Sequence, residues 1–221
     1  MSTVYDLFAA TAKRTPERPV LNILPRVAEI YAIESGEITY GSALSKIDET
    51  ADNLRTAGYK SGMRVALLLE NRPAFFIIWL ALNKLGLSVV PINPDLRASE
   101  LEYLIGHSEP ALIIALPTRH TELKKAANEV KVTLQVIAPN DPIPTPRQNA
   151  TVARDQAGNA LEAAILYTSG TTGNPKGCVL SNTYFLLAGQ WYADLGGIGT
   201  LDQTGERMIT PLPIFHMNAM T

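Results

Sequence analysis

Apolar positions along the chain switch repeatedly between helical spacing and short continuous runs. Residues 4–13 place Leu7, Phe8 and Ala12 on one face and predict a short amphipathic helix. "RPVLNIL" and "EIYAIESGEITY" read as strands joined by a Gly turn. Residues 42–57 predict a helix with Leu44, Ile47 and Leu54 on one side and Gly58 just past its end. "RVALLLE" (64–70) is an uninterrupted apolar strand, after which Asn71 and Pro73 open a helix that Gly86 closes. "SVVPINP" is a strand, Ser99 begins a helix through "ELEYLIGH", "ALIIAL" is a strand, "TELKKAANEV" a helix and "LQVIA" a strand. Strands that are apolar throughout are buried on both faces, so the sheet is expected to be mainly parallel and flanked by helices. Strand–helix alternation with short connections implies right-handed crossovers and an α/β fold.

The run 139–150, "PNDPIPTPRQNA", interrupts this order. Its four prolines within 139–146 neither donate to a ladder nor continue a helix. The expectation is a linker at 139–146 separating an N-terminal α/β subdomain (1–146) from the start of a second one (147–221). "LEAAILY" then makes a strand, a Gly/Ser/Thr loop follows, and Ser181-Asn182 starts a helix through "TYFLLAGQWYADLG". "RMITPLPIFHMNAMT" reads as strand, Pro-bounded turn and an unfinished element.

Composition narrows the class. The chain is 46% apolar and 18% charged, which excludes a disordered chain. A net charge of −2 carries no nucleic-acid footprint. The single cysteine, Cys178, excludes an internal disulfide framework and suits a reducing compartment. The N-terminus lacks the apolar core of a secretory leader, and the run 74–83 is about half the ~20 residues a membrane helix needs. A cytoplasmic protein without a transmembrane segment is expected.

The chemistry concentrates in "TSGTTGNPKG" (168–177), with four hydroxyls, three glycines and one lysine. Glycines let successive amides converge on an anion, hydroxyls add donors, and lysine adds a full charge. The pattern G-x-x-x-x-G-K-[ST] fails, because Pro175 precedes Lys176 and Gly177 follows it. G-x-G-x-x-G is absent as well. What remains is a phosphate cradle of another design, or a Gly/Ser/Thr turn linking strand to helix. The turn accounts for neither the lysine nor the apolar strand before it.

"YTSGTTGNPKG" resembles, nearly residue for residue, the signature loop of the adenylate-forming superfamily, which includes acyl-CoA and aryl-CoA synthetases, peptide-synthetase adenylation domains and luciferases. "RVALLLENRPAFFIIWLALNKLGLSVVPINP" is similar to the N-terminal strand–helix–strand of that family. "PLPIFHMNAM" resembles its following motif in the form found in hydroxycinnamate–CoA and other acyl–CoA ligases. The resemblance implies an ATP-dependent acid–CoA ligase that forms an acyl-adenylate, releases pyrophosphate and passes the acyl group to the CoA thiol. It implies that Thr168, Ser169, Gly170, Thr171, Thr172, Gly173 and Lys176 bind the nucleotide phosphates, with Thr171 reaching Mg2+. Lys176 would neutralise the departing pyrophosphate. His216 would stand beside the acyl carboxylate, with Met217 and Asn218 opening the acyl pocket. ATP, Mg2+, CoA and a small carboxylic acid are the implied ligands, and a homodimer is compatible with the family.

Family motifs downstream of Phe-His are absent before Thr221, so an N-terminal fragment, inactive alone, is expected. A peptide-synthetase or luciferase-like enzyme and a non-catalytic nucleotide-binding paralogue stay open as alternatives. The remaining candidates read as structural. Cys178 is expected to be a small packed residue, and His107 and His120 surface or cap residues. Asn182, where the family often has His, is expected to cap its helix.

Overall fold

The computed structural model describes residues 2–147, 150, 160–168, 175–202, 205–209 and 211–220. Helix α1 (Val4–Arg14) starts in a capping box: the Asp6 amide donates to Thr3 Oγ1 (3.1 Å) and the Thr3 amide to the Asp6 carboxylate (2.8 Å). Strands β1 (Pro19–Ile23) and β2 (Gly36–Thr39) form a separate antiparallel pair. They are not joined by a simple Gly turn, because helix α2 (Pro25–Tyr31) intervenes. Pro25 at its first turn is pre-set for helix and has no amide to lose. The strand expected over "EIYAIESGEITY" therefore shrinks to its last four residues before Tyr40. Helix α3 (Tyr40–Ala57) begins where Thr39 Oγ1 accepts the Ser42 amide (3.2 Å) and ends at Gly58, φ 98°.

The alternation from residue 64 onward follows the apolar pattern. It runs β3 (Arg64–Leu68), α4 (Pro73–Lys84), β4 (Ser88–Pro91), α5 (Ala98–Ser108), β5 (Leu112–Ala115), α6 (His120–Glu129) and β6 (Val136–Ile137). Beyond the Pro-rich run come β7 (Glu162–Thr168), β8 (Lys176–Ser181), α7 (Asn182–Asp194) and the short α8 (Met217–Met220). The strand order is β6-β5-β3-β4-β7-β8. Neighbours are parallel except β7 and β8, so segments on both sides of residues 139–146 build one α/β sheet.

Successive residues of β3 serve opposite faces. Val65 and Leu67 pack with Ile47, Leu54, Phe75 and Trp79, on the side of α3 and α4. Ala66 and Leu68 pack with Leu101, Leu104, Ile105 and Leu123, from α5 and α6. This two-sided burial is the physical reason for the unbroken apolar runs. No helix among the described residues is long and apolar enough to cross a membrane.

Three expectations change. The Gly/Ser/Thr loop does not lead directly into a helix; it returns as β8, antiparallel to β7. β8 lies at the sheet edge with Cys178 and Val179 exposed, so its pattern lacks the apolar continuity that marks a central strand. Cys178 is accordingly an exposed residue rather than a packed one. No strand forms over residues 207–209, where Met208 and Ile209 are each 85% exposed without a ladder partner.

Asn182 is also corrected. Ser181 caps α7 by accepting the Tyr184 amide (3.4 Å), and Asn182 is the first helical residue, buried. Its Oδ1 accepts the Val4 amide (3.0 Å) and Asn83 Nδ2 (2.9 Å), and its Nδ2 donates to the Leu161 carbonyl (3.3 Å). Asn83 Oδ1 in turn accepts the Tyr5 amide (2.9 Å). The two asparagines thus satisfy two amides of the first turn of α1, which have no partner within their own helix. Asn182→Ala orphans the Val4 amide and Asn83 Nδ2 and is expected to cost about 1–3 kcal/mol in urea unfolding. An unchanged midpoint would show that water replaces the asparagine.

Candidate active site

Because β3, β4 and β7 run parallel, their carboxyl ends share one edge of the sheet. Ligands of open α/β sheets bind along that edge. Both chemistry-bearing motifs lie there. Thr168 ends β7, and its partner across the ladder is Lys176, the first residue of β8. Both side chains are exposed. Lys176 has no ion pair among the described residues, so its ammonium is available to an anion. Ser169, Gly170, Thr171, Thr172 and Gly173 fall outside the described residues.

One step inside that pair, Tyr167 faces Gly177. A Cβ on Gly177 would lie 3.1 Å from Ile165 Cγ2, 3.2 Å from Tyr167 Cζ and 3.4 Å from His107 Cε1. The glycine after the lysine therefore sits at a close approach of side chains, which would have to give by a few tenths of an ångström to admit a Cβ. Burial pushes the Tyr167 phenol up to about 12, so it keeps its proton at neutral pH. His107 is exposed, as expected, yet its Nδ1 lies 2.7 Å from Tyr167 Oη. His120, the first residue of α6, places Nε2 3.0 Å from the Ala115 carbonyl at the end of β5.

The Phe-His turn reaches the same edge by a route that sequence reasoning missed. Asn71, just after β3, accepts the Ile214 amide on Oδ1 (2.9 Å) and donates from Nδ2 to the Leu212 carbonyl (3.0 Å). Both ends of one side-chain amide thus hold a segment more than a hundred residues away in sequence. The only signal was position: an Asn after a buried strand and before Pro73. The His216 amide donates to the Pro213 carbonyl (3.0 Å), closing the turn, and the Phe215 and His216 rings lie 4.5 Å apart. His216 is exposed. Met217 and Asn218 begin α8, and the Met217 thioether meets the Tyr184 hydroxyl of α7. Among the described residues, no hydrogen bond joins the Phe-His turn to Thr168 or Lys176. Asn71→Ala is expected to speed amide exchange of Ile214 by about ten-fold, from loss of a bond worth ~1 kcal/mol with its neighbour. Unaltered exchange would remove Asn71 as the clamp.

The described residues contain no group of three His, Cys, Asp or Glu able to hold a metal ion. Thr171, the implied Mg2+ residue, is outside them. An apolar groove of about 400 Å3 lies among α1, β1, α3 and α4, lined by residues such as Phe8, Tyr40, Phe76 and Trp79. It contains none of Thr168, Lys176 and His216.

A family model described as AMP-binding enzyme matches residues 8–221, and the chain belongs to this family. Among curated relatives, the crotonobetaine/carnitine–CoA ligase of Salmonella paratyphi A is 29% identical over 195 residues, covering 82% of this chain and 37% of that protein. The sulfoacetate–CoA ligase of Cupriavidus necator is 26% identical over 235 residues, covering 99% and 42%. The inhibitor-bound N-terminal domain of FACL13 from Mycobacterium tuberculosis superposes with a TM-score of 0.77 at 25% identity, covering all of this chain and 53% of that one. The fold is that of the N-terminal domain of adenylate-forming enzymes. The chain spans well under half the length of these two curated relatives.

Proposed function

We propose that this chain supplies the N-terminal, phosphate-handling portion of an ATP-dependent, AMP-forming acid–CoA ligase. The observation that carries this reading is the cross-strand pair Thr168 and Lys176. It sits at the carboxyl edge of a parallel sheet, with the lysine charge unmatched by any described carboxylate, in a chain of the AMP-binding enzyme family. In the first step a carboxylate oxygen attacks the α-phosphorus of ATP, the bond to the bridging oxygen breaks, and pyrophosphate leaves. In the second, a thiolate attacks the acyl carbon and AMP leaves. A carboxylate is a poor acyl donor because oxide is a poor leaving group, and adenylation replaces oxide with AMP.

The protein's share of the first step is positioning and charge stabilisation. Lys176 and Thr168 hold the β- and γ-phosphates, together with Ser169, Gly170, Thr171, Thr172 and Gly173. Thr171 would help to hold Mg2+, which would supply neutralisation of phosphate charge. His216, positioned by Asn71, stands at the acid carboxylate, with Met217 and Asn218 beginning its pocket. Both curated relatives above are named CoA ligases, which favours CoA as acceptor over a peptide-synthetase or luciferase-like second step.

The test is acid-dependent ATP–pyrophosphate exchange, followed by CoA-dependent AMP formation. It uses a panel of short, medium and aromatic acids with the polypeptide that contains residues 1–221. Exchange without CoA-dependent turnover would redirect the second step. Absence of exchange with every acid, despite pyrophosphate binding, would support the non-catalytic alternative.

A further inference from the structure

We propose that His107 is a positioning residue that holds the base of the β7–β8 hairpin and so sets the placement of Thr168 and Lys176. The inference rests on the phosphate-handling role proposed above for that pair. The ladder between β4 and β7 is registered at Val89 and Ala164, three residues short of Tyr167. β4 ends at Pro91, which has no amide to donate. At Tyr167 and Thr168 the ladder partners are Gly177 and Lys176 of β8. Beyond that ladder the ribbon is two-stranded and has weak directional control of its own. Contacts from outside the ladder aim it: Tyr167 packs on the α5–α6 side of the core, and a side chain meets its ring and hydroxyl.

His107 supplies that contact from the last turn of α5. Its Nδ1 lies 2.7 Å from Tyr167 Oη, and its ring meets the Tyr167 ring edge-on, centroids 5.7 Å apart at 82°. On its other side it stacks on Tyr103, 5.4 Å away at 18°. Tyr103 and His107 are four residues apart on one helix face, the spacing at which side chains meet. The imidazole is thus held between two tyrosines despite its exposure. Its Cε1 also lies 3.4 Å from where a Cβ on Gly177 would stand, within van der Waals reach of the β8 backbone. One ring therefore abuts both strands of the hairpin, at the residues next to Thr168 and Lys176. Tyr167 and Thr168 point to opposite faces of the ribbon. His107 consequently acts through the backbone of the hairpin and does not itself face the phosphate side.

The test uses the polypeptide that contains residues 1–221 with His107→Ala, His107→Asn and Tyr167→Phe. Asparagine places an amide atom near the position of Nδ1. Amide exchange at Thr168, Lys176 and Gly177 is expected to rise about three- to ten-fold in His107→Ala and Tyr167→Phe. The double variant should be no worse than either single one, since both remove the same contact. His107→Asn should recover most of the protection, and β3 and β5 should be unchanged. Unaltered exchange at the hairpin, or an equal rise across β3 and β5, overturns the proposal. Calorimetric binding of magnesium pyrophosphate gives the functional arm. Weaker binding in His107→Ala, restored by His107→Asn, is expected. Wild-type binding with no change in His107→Ala overturns the role of His107, whereas no wild-type binding overturns the phosphate reading of the hairpin itself.

Discussion

Lys176→Ala is expected to slow acid-dependent pyrophosphate release by about ten- to a hundred-fold in the ligase that contains this chain, without lowering its unfolding midpoint. A charge-assisted hydrogen bond contributes roughly 1.5–3 kcal/mol. If it acts on the charge that develops as pyrophosphate departs, that free energy appears in the rate at tenfold per ~1.4 kcal/mol. The structure makes the two readouts separable. Lys176 is exposed and has no ion pair with a described residue, so its removal orphans no described group. A fall in rate at constant stability therefore reports on phosphate chemistry. Lys176→Arg should recover only part of the rate, because a planar guanidinium distributes its charge differently from a compact ammonium. Pyrophosphate release at the wild-type rate in Lys176→Ala would remove the lysine from the mechanism.

The largest stability effect is expected from Glu162→Ala. Arg64 begins β3 and Glu162 begins β7, on either side of β4, at the amino ends of the strands and away from the candidate active site. The pair is bidentate, Nε to Oε1 at 2.8 Å and the second nitrogen to Oε2 at 3.0 Å. The third guanidinium nitrogen donates to the Ser108 carbonyl at 3.3 Å. Arg64 is 16% exposed and Glu162 7%. The bond to Glu162 raises the affinity of Arg64 for its proton, and a guanidinium without such a partner still keeps its charge at neutral pH. Glu162→Ala then leaves a nearly buried cation uncompensated, at a cost of about 3–5 kcal/mol. Replacing both partners, Arg64→Met with Glu162→Leu, should regain most of the loss, because no charge is then left buried. Urea unfolding of the single and double variants checks both statements. A cost below about 1 kcal/mol for Glu162→Ala would mark the pair as no stronger than a surface one.

The contrast between these two residues shows how much of each role was legible beforehand. Lys176 stood out because the Gly/Ser/Thr cluster around it has few other chemical purposes. Glu162 did not stand out at all: an acidic residue opening an apolar strand looks like the solvated end of that strand. Only its placement two strands away from Arg64 gives it a buried partner. Asn71 and His107 were hidden for the same reason. Asn71 bonds Leu212 and Ile214, and His107 bonds Tyr167, across separations of 141, 143 and 60 residues. Neither pairing leaves a periodic trace in the chain. The errors are equally local. Helix α2 is short and buries only Ala28, which gives it little apolar pattern to read. β8 is an edge strand with an exposed centre, so it lacked the signature of its buried neighbours.

By itself the sequence determined the α/β class, the buried strands from β3 to β5 and the helices between them. It also singled out the Gly/Ser/Thr loop with its lysine, the motif that resembles the signature of the family. Those features depend on near neighbours: apolar runs, helical spacing, caps and the order of residues in one short loop. The tertiary structure alone decided that the loop turns back into an antiparallel edge strand. It also decided that Gly177 is a close-approach position, that Asn182 ties α1 to α7, and that Asn71 and His107 hold the two motifs at the sheet edge. Each of these depends on side chains far apart in sequence meeting at hydrogen-bond or van der Waals distance. Such meetings are set by strand order and crossover geometry, which no single segment encodes.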